Sequence, residues 1–179
     1  REENALGDSL ALVTGGGFGL GRQLARHLRA AGLEVLICGR RAEHLEAARD
    51  DIPGLHAVEA DITSAADRDR LFEAVESIDA PLDMLVNNAA LSRVHDYSSA
   101  FTLEQDRAHA EIETNLTAPI ELIRRFLLLR QTRGWGDRPA TVANVSTPGA
   151  LIPLEANPLY VTTKAGFHMF TLTLRAHLR

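Results

Sequence analysis

Short apolar runs alternating with longer amphipathic segments, from Leu10 to Leu178, limit what this chain can fold into more than any other feature. A short run that is apolar on both faces cannot leave either face to water, so the segments between such runs must cover both sides as helices. Leu10 to Val13 reads as the first strand and passes directly into a glycine cluster. The next segment carries Leu20, Leu24 and Leu28 on one helical stripe and stops at Gly32. Leu33 to Cys38, Leu55 to Ala60, Leu82 to Val86 and Ala140 to Val145 read as further strands. Helices are expected over Ala42 to Arg49, Ala65 to Ile78, about Leu103 to Arg130, and Pro158 to Leu178, with Thr132 to Pro139 as a surface connection. Five strands joined by right-handed crossovers give an α/β, doubly wound parallel sheet with helices on both faces. Its ligand site is expected at the carboxyl ends of the strands. No repeat, low-complexity tract or linker interrupts residues 1–179, which suit one domain.

The residues with chemical potential fall at those strand ends. Thr14-Gly15-Gly16-Gly17-Phe18-Gly19-Leu20-Gly21 lies between the first strand and the first helix. Glycines here let the backbone turn tightly and approach a pyrophosphate, which the free N–H groups of a helix N-terminus stabilise. The spacing is T-G-x-x-x-G-x-G rather than G-x-G-x-x-G, and alone it would also suit a plain glycine turn. Asp61 follows the third strand, and Asn87-Asn88-Ala89-Ala90 follows the fourth. Asn115 lies on the long helix, and Tyr160-x-x-x-Lys164 begins the last one, where four residues put phenol and ammonium on one face.

Taken in this order, the motifs resemble those of the short-chain dehydrogenase/reductase family, with Ala90 where that family has a glycine. The resemblance implies a Rossmann-like fold. It also implies a dinucleotide held by Gly15, Gly17, Phe18, Gly19, Leu20 and Gly21, by Arg40, Arg41, Asp61 and Ile62, and by Asn88, Ala89 and Ala90, with Tyr160 and Lys164 at the nicotinamide end. Tyr160 is the implied acid/base. A free tyrosine titrates near ~10, and Lys164 is expected to favour the phenolate while holding the nicotinamide ribose. The family's serine stands thirteen residues before the tyrosine, which is Thr147 here, with Ser146 next to it as the fallback hydroxyl. The carbonyl of Asn115 would accept from residue 119 in an α-helix, but that residue is Pro119 and has no N–H. The family uses this asparagine carbonyl to hold a water leading to the lysine. A kink without function is the alternative.

The end of the second strand bears on the cofactor. Gly39 stands where a carboxylate would bind the ribose hydroxyls of NAD, and Arg40 and Arg41 follow it. Guanidinium groups there suit a 2′-phosphate, so NADP(H) is favoured over NAD(H), with Arg40 the main contact. The same run also suits a plain helix start, and some family members that carry it use NAD. The stretch from Cys38 to Asp61 looks most like bacterial oxidoreductases named after the D-alanyl-lipoteichoic acid operon, a similarity that identifies no substrate.

Composition enters as exclusion. A net charge of −5 argues against a nucleic-acid partner, and the single Cys38 rules out an intramolecular disulfide and argues against a Cys-based metal site. No apolar stretch has the length of a bilayer span and the N-terminus has no signal-peptide features, so no membrane association and a cytoplasmic location are expected. The family's chains usually continue past the lysine helix. Residues 1–179 are therefore expected to be a single NAD(P)-binding domain lacking the usual C-terminal substrate-covering segment. A homodimer or homotetramer is implied, with Leu116, Ile123, Leu127, Phe167, Phe170 and Leu174 serving core or interface. Walls of a substrate pocket are expected from Leu91 to Ala100 and Ala150 to Leu159, with Val94, His95, Leu151, Ile152 and Leu154 as candidates and His95 a loop residue rather than a catalyst. The function expected is NADP(H)-dependent hydride transfer to or from a small-molecule carbonyl or alcohol. The alternative is a cofactor-binding redox sensor or scaffold without turnover. An epimerase or dehydratase using the same tyrosine ranks lower.

Overall fold

A computed structural model describes residues 8–93, 105–155 and 157–178. In chain order the elements are β1 (Leu10–Thr14), α1 (Gly19–Ala30), β2 (Glu34–Gly39), α2 (Ala42–Asp51), β3 (His56–Glu59), α3 (Ala65–Ser77) and β4 (Leu82–Asn87). They continue with α4 (Gln105–Ile112), a π-helical turn (Glu113–Thr117), α5 (Ala118–Thr132), β5 (Thr141–Asn144), a 3-10 turn (Pro148–Ala150) and α6 (Pro158–His177). Among the described residues the strands form one parallel sheet in the order β3-β2-β1-β4-β5. The order reverses between β1 and β4, and a crevice must open outside their carboxyl ends. No helix among the described residues is long and apolar enough to cross a membrane.

Strand alternation builds the two covered faces. Leu10 and Leu12 of β1 enter one core with Leu36, Leu71, Leu122 and Phe126, under α3, α5 and α6. Ala11 and Val13 enter the other with Val35, Ile37 and Leu45, under α1 and α2. In β4 this alternation breaks. Leu10 aligns with Leu82 but Ala11 aligns with Met84, so Asp83 is an extra residue and Leu82 and Leu85 enter the same core. The bulge turns Asp83 toward a buried polar anchor. Its carboxylate accepts from Ser9 Oγ at 2.8 Å, from Arg138 Nη2 at 2.9 Å and from Arg130, which is itself 4% exposed. Arg130 also donates to the carbonyls of Leu82, Trp135 and Arg138, fastening the 133–139 loop to the amino end of the sheet.

Two expectations change. Leu20 does not join the core, because the first turn of α1 faces the crevice and Gly21 and Ala25 are the residues buried there. The long helix is two α-segments joined by a π turn, in which the Ala118 N–H bonds the Glu113 carbonyl five residues back. Its expected start at Leu103 lies outside the described residues. Ile123 and Phe167 are core residues, while Leu116, Leu127, Phe170 and Leu174 pack partly buried against that core.

Candidate functional site

A cleft of about 400 Å³ lies outside the carboxyl ends of β1, β2 and β4. Thr14 holds its floor together. Its buried hydroxyl donates to the Val86 carbonyl at 3.3 Å and accepts the N–H groups of Asn88 and Ala89, both at 3.0 Å. Asn88 Nδ2 in turn donates to the carbonyls of Thr14 and Gly15 at 2.9 and 3.2 Å. The Asn-Asn-Ala-Ala segment is thus bonded to the glycine turn rather than resting beside it. At Gly21 a Cβ would stand 2.3 Å from the Gly15 carbonyl oxygen, so no side chain fits where helix and turn close on each other. Gly19 has φ +56° and nothing within 4 Å of its would-be Cβ, so glycine is favoured there by backbone conformation and not by crowding.

The N-terminus of α1 opens into this cleft without a protein acceptor of its own. Its N-cap is Phe18, which makes no side-chain capping bond, and its first turn holds no acidic residue. By contrast, α3 is capped by the Ser64 hydroxyl. Unsatisfied N–H groups at the positive end of a helix macrodipole favour an anion. At the far end of the cleft, β2 finishes at Gly39. A Cβ there would meet only Leu45 at 3.7 Å, an ordinary contact, so the missing carboxylate is a matter of chemistry and not of space. Arg40 Nη1 lies 3.9 Å from Asp61 Oδ2 and its side chain is 61% exposed. Arg41 instead stacks its guanidinium 4.7 Å above the Phe18 ring, and the His44 ring meets Phe18 edge-on with centroids 5.2 Å apart. Asp61 is set by its own turn, accepting from Thr63 N and Oγ1 through Oδ1.

The structure brings the expected 15–21 turn (Gly16 apart), Arg40 and Arg41, Asp61 and Ile62, and Asn88 to Ala90 together around one cleft. Sequence reasoning missed Thr14, His44 and Thr114, the last two of which line the cleft. Thr14 carried a signal, since it opens the glycine motif. His44 and Thr114 carried none, because only the packing of α2 and the π turn directs them here. Cys38 also borders the cleft, but burial, opposed by a backbone bond at Gly15, pushes its thiol up to about 12 and leaves it an inert wall.

Tyr160 and Lys164 do not border this cleft. They belong to a second constellation on α6, joined to the first through Asn115. The Asn115 side chain pairs with both backbone groups of Leu91, at 2.8 and 2.7 Å, and donates to Thr163 Oγ1 at 3.2 Å, which itself donates to the Tyr160 carbonyl. Asn87, Asn144 and Thr171 make a parallel tie from β4 through β5 to α6. Pro119 follows this turn and has no N–H to offer the Asn115 carbonyl four residues back or the Thr114 carbonyl five residues back. Lys164 is 3% exposed, and its ammonium donates to the Val145 carbonyl at 3.0 Å and lies 5.8 Å from the centre of the Tyr160 ring. The expected pull of this lysine on the phenol is not seen. Burial first, and then the carboxylate of the fully buried Glu111, push the Tyr160 phenol above its ordinary value, while burial lowers Lys164. Thr147 is half-buried, and its Oγ1 accepts the Gly149 N–H at 3.4 Å, which leaves the hydroxyl proton available. Ser146 is exposed. Of the expected pocket walls, Leu151, Ile152 and Leu154 are exposed beside these groups, and Val94 and His95 lie outside the described residues. Among the described residues no group of three His, Cys, Asp or Glu side chains gathers to hold a metal.

A family model described as short chain dehydrogenase matches residues 9–179. The chain is 35% identical over 174 residues to the uncharacterized oxidoreductase DltE of Bacillus subtilis, a match covering 96% of this chain and 66% of that protein. It is 31% identical over 181 residues to the rhamnolipids biosynthesis 3-oxoacyl-[acyl-carrier-protein] reductase of Pseudomonas aeruginosa, covering 97% and 68%. Among solved structures, an actinorhodin polyketide ketoreductase variant with NADPH superposes with a TM-score of 0.87 at 26% identity, over 96% of this chain and 65% of that one. The chain therefore spans about two thirds of the length of the relatives it matches.

Proposed function

The chain belongs to the short-chain dehydrogenase family, and from that premise we propose that it is an NADP(H)-dependent oxidoreductase acting on a small-molecule carbonyl or alcohol, with Tyr160 as acid/base. The observation that carries this reading is the buried Lys164 ammonium, anchored on Val145 and facing the Tyr160 ring one helical turn away. The residues fit the cofactor. The uncapped N-terminus of α1 and the open side of Gly19 suit a pyrophosphate, and Arg40 and Arg41 beside a Gly39 that lacks a carboxylate suit a 2′-phosphate.

When bound, the nicotinamide supplies or accepts the hydride. Everything else falls to the chain. A phenol held above its ordinary pKa keeps its proton at neutral pH, so in the reducing direction Tyr160 gives that proton to the carbonyl oxygen. Thr147 donates its hydroxyl to the same oxygen and orients it, with Ser146 the fallback. Lys164 spends one N–H on Val145 and has others for the nicotinamide ribose and for returning a proton toward the tyrosine. The Asn115 carbonyl, denied its α-helical donor by Pro119, holds the water at the outer end of that relay, while its side chain keeps the 91 loop and α6 in register. Residues 1–179 act in this reading as a single NAD(P)-binding domain of a cytoplasmic homodimer or homotetramer.

Titration of the purified protein with NADPH and NADH, followed by bound nicotinamide fluorescence, tests the proposal. NADPH is expected to bind at least roughly tenfold tighter, with the preference lost in Arg40→Ala. A charge-assisted bond contributes about 1.5–3 kcal/mol, and the exposure of Arg40 puts it at the lower end. NADH preference refutes the Arg40 assignment. Because Tyr160 does not border the cleft, a cofactor-binding sensor without turnover is the competing reading. Tyr160→Phe separates the two: turnover of a carbonyl substrate that survives this substitution refutes the mechanism, and turnover that vanishes with NADPH binding retained supports it.

A further inference from the structure

The helices that follow β1 and β2 both begin on side chains that do not cap them. Ser, Thr, Asp and Asn are the usual choices at such positions, because their oxygens accept a free N–H of the first turn. Here α1 is preceded by Phe18 and α2 by Arg41, and neither makes a side-chain capping bond. The two side chains meet each other instead, with the Arg41 guanidinium 4.7 Å from the centre of the Phe18 ring. The His44 ring, from the first turn of α2, adds an edge-on contact to Phe18 with centroids 5.2 Å apart. The glycine turn also rests on α2: a Cβ at Gly17 would stand 3.1 Å from His44 Cβ and 3.2 Å from its carbonyl carbon. A ring that is 56% exposed thus has a definite task, which is to hold a cation without neutralising it. Among the described residues Arg41 makes no ion pair, whereas Arg40 reaches Asp61 at 3.9 Å. A carboxylate at position 18 would hold the guanidinium too, but would cancel the charge that a phosphate needs.

Resting on the NADP(H) reading above, we infer that Phe18 is a positioning residue for cofactor specificity, whose ring holds Arg41 as the second ligand of the 2′-phosphate beside Arg40. An arginine gives up rotamer freedom when it grips an anion, and a ring that already holds it removes part of that cost. The 2′-phosphate is then met by one guanidinium held from the glycine turn and one that is free at the end of β2. Phe18 also starts the helix whose uncapped N-terminus faces the pyrophosphate, so the same stack sets the spacing between the two phosphate positions. NADH has no 2′-phosphate and gains nothing from an Arg41 held in this way.

The test is the ratio of NADPH to NADH affinity, read from bound nicotinamide fluorescence on the purified protein. Phe18→Leu keeps an apolar side chain without a π face, and is expected to lower the ratio roughly twofold to fivefold. Phe18→Tyr keeps the face and is expected to keep the ratio. Arg41→Ala is expected to lower the ratio at least as far as Phe18→Leu. Adding Phe18→Leu to it should lower the ratio no further, because the ring then has no guanidinium to hold. Equal losses for both cofactors in Phe18→Leu overturn the inference and assign the ring to a surface that the two cofactors share. A ratio that Phe18→Leu leaves intact, or a loss that adds in full to that of Arg41→Ala, overturns it as well. A preference for NADPH that falls in Arg40→Ala but survives both Phe18→Leu and Arg41→Ala retains the NADP(H) reading and overturns this inference alone. An unsubstituted protein that does not favour NADPH overturns both.

Discussion

Thr14 offers a direct test of how the cleft is held. Its side chain is wholly buried at the end of β1, donates to Val86 and accepts the N–H groups of Asn88 and Ala89 at 3.0 Å each. Thr14→Val keeps the branched shape but removes the acceptor, leaving two backbone amides without a partner. A buried amide so abandoned costs about 1–3 kcal/mol. Asn88 and Ala89 are only partly buried, so the lower end applies, about 2 kcal/mol for the pair. Thr14→Ser makes the opposite change, keeping the hydroxyl and losing one buried methyl at a cost of about 1 kcal/mol. For a chain of this size, about 2–4 °C of melting temperature accompanies each kcal/mol. Thermal melts should therefore fall by roughly 4–8 °C in the valine variant and roughly 2–4 °C in the serine variant. NADPH titrations on the same samples should show weakened binding in the valine variant alone, because only there is the 88–90 segment released from the glycine turn. A valine variant as stable as the serine variant, with unaltered NADPH affinity, would refute the idea that this hydroxyl organises the cleft.

Two further outcomes follow from buried charge. Burial raises the Asp83 carboxyl, but hydrogen bonds from Arg138, Arg130 and Ser9 outweigh it and leave it below its ordinary value. Asp83→Asn should cost about 3–5 kcal/mol at neutral pH, because Arg130 stays buried without its counter-charge, and NADPH affinity should not change. A depressed carboxyl contributes stability that is fully present above its unfolded pKa, about 3.9, and lost as pH falls through the folded value. The advantage of the unsubstituted protein in urea melts should therefore shrink below about pH 4, and an advantage that grows on acidification would contradict this account. At the reactive end, Glu111→Gln removes the second of the two influences that raise the Tyr160 phenol. The pH profile of alcohol oxidation, which needs the phenolate, should move to lower pH while reduction at neutral pH is retained. A profile that does not move would show that Glu111 is not coupled to the tyrosine.

The sheet, its coverage on both faces and most of the residues around the cleft were legible in the sequence because their signals are local. Strand and helix periodicities repeat within a few residues, and the glycines at 15, 19 and 21 sit at the turn that needs them. What the tertiary structure decided lies across the fold. The extra residue at Asp83 inverts the phase of β4, and only pairing with β1 reveals it. Leu20 fits a leucine stripe by spacing, yet faces the cleft because α1 is rotated to bury Gly21 and Ala25. Arg40 and Arg41 are adjacent and chemically equal in sequence, but one faces Asp61 and the other stacks on Phe18. The four-residue spacing of Tyr160 and Lys164 placed them on one helix face, but left open where the ammonium points. The carbonyl at the end of β5 takes it, and burial, with a carboxylate forty-nine positions before the tyrosine second to it, raises the phenol instead. Ionisation depends on burial and on charges brought close by packing, and neither is a property of neighbours in the chain.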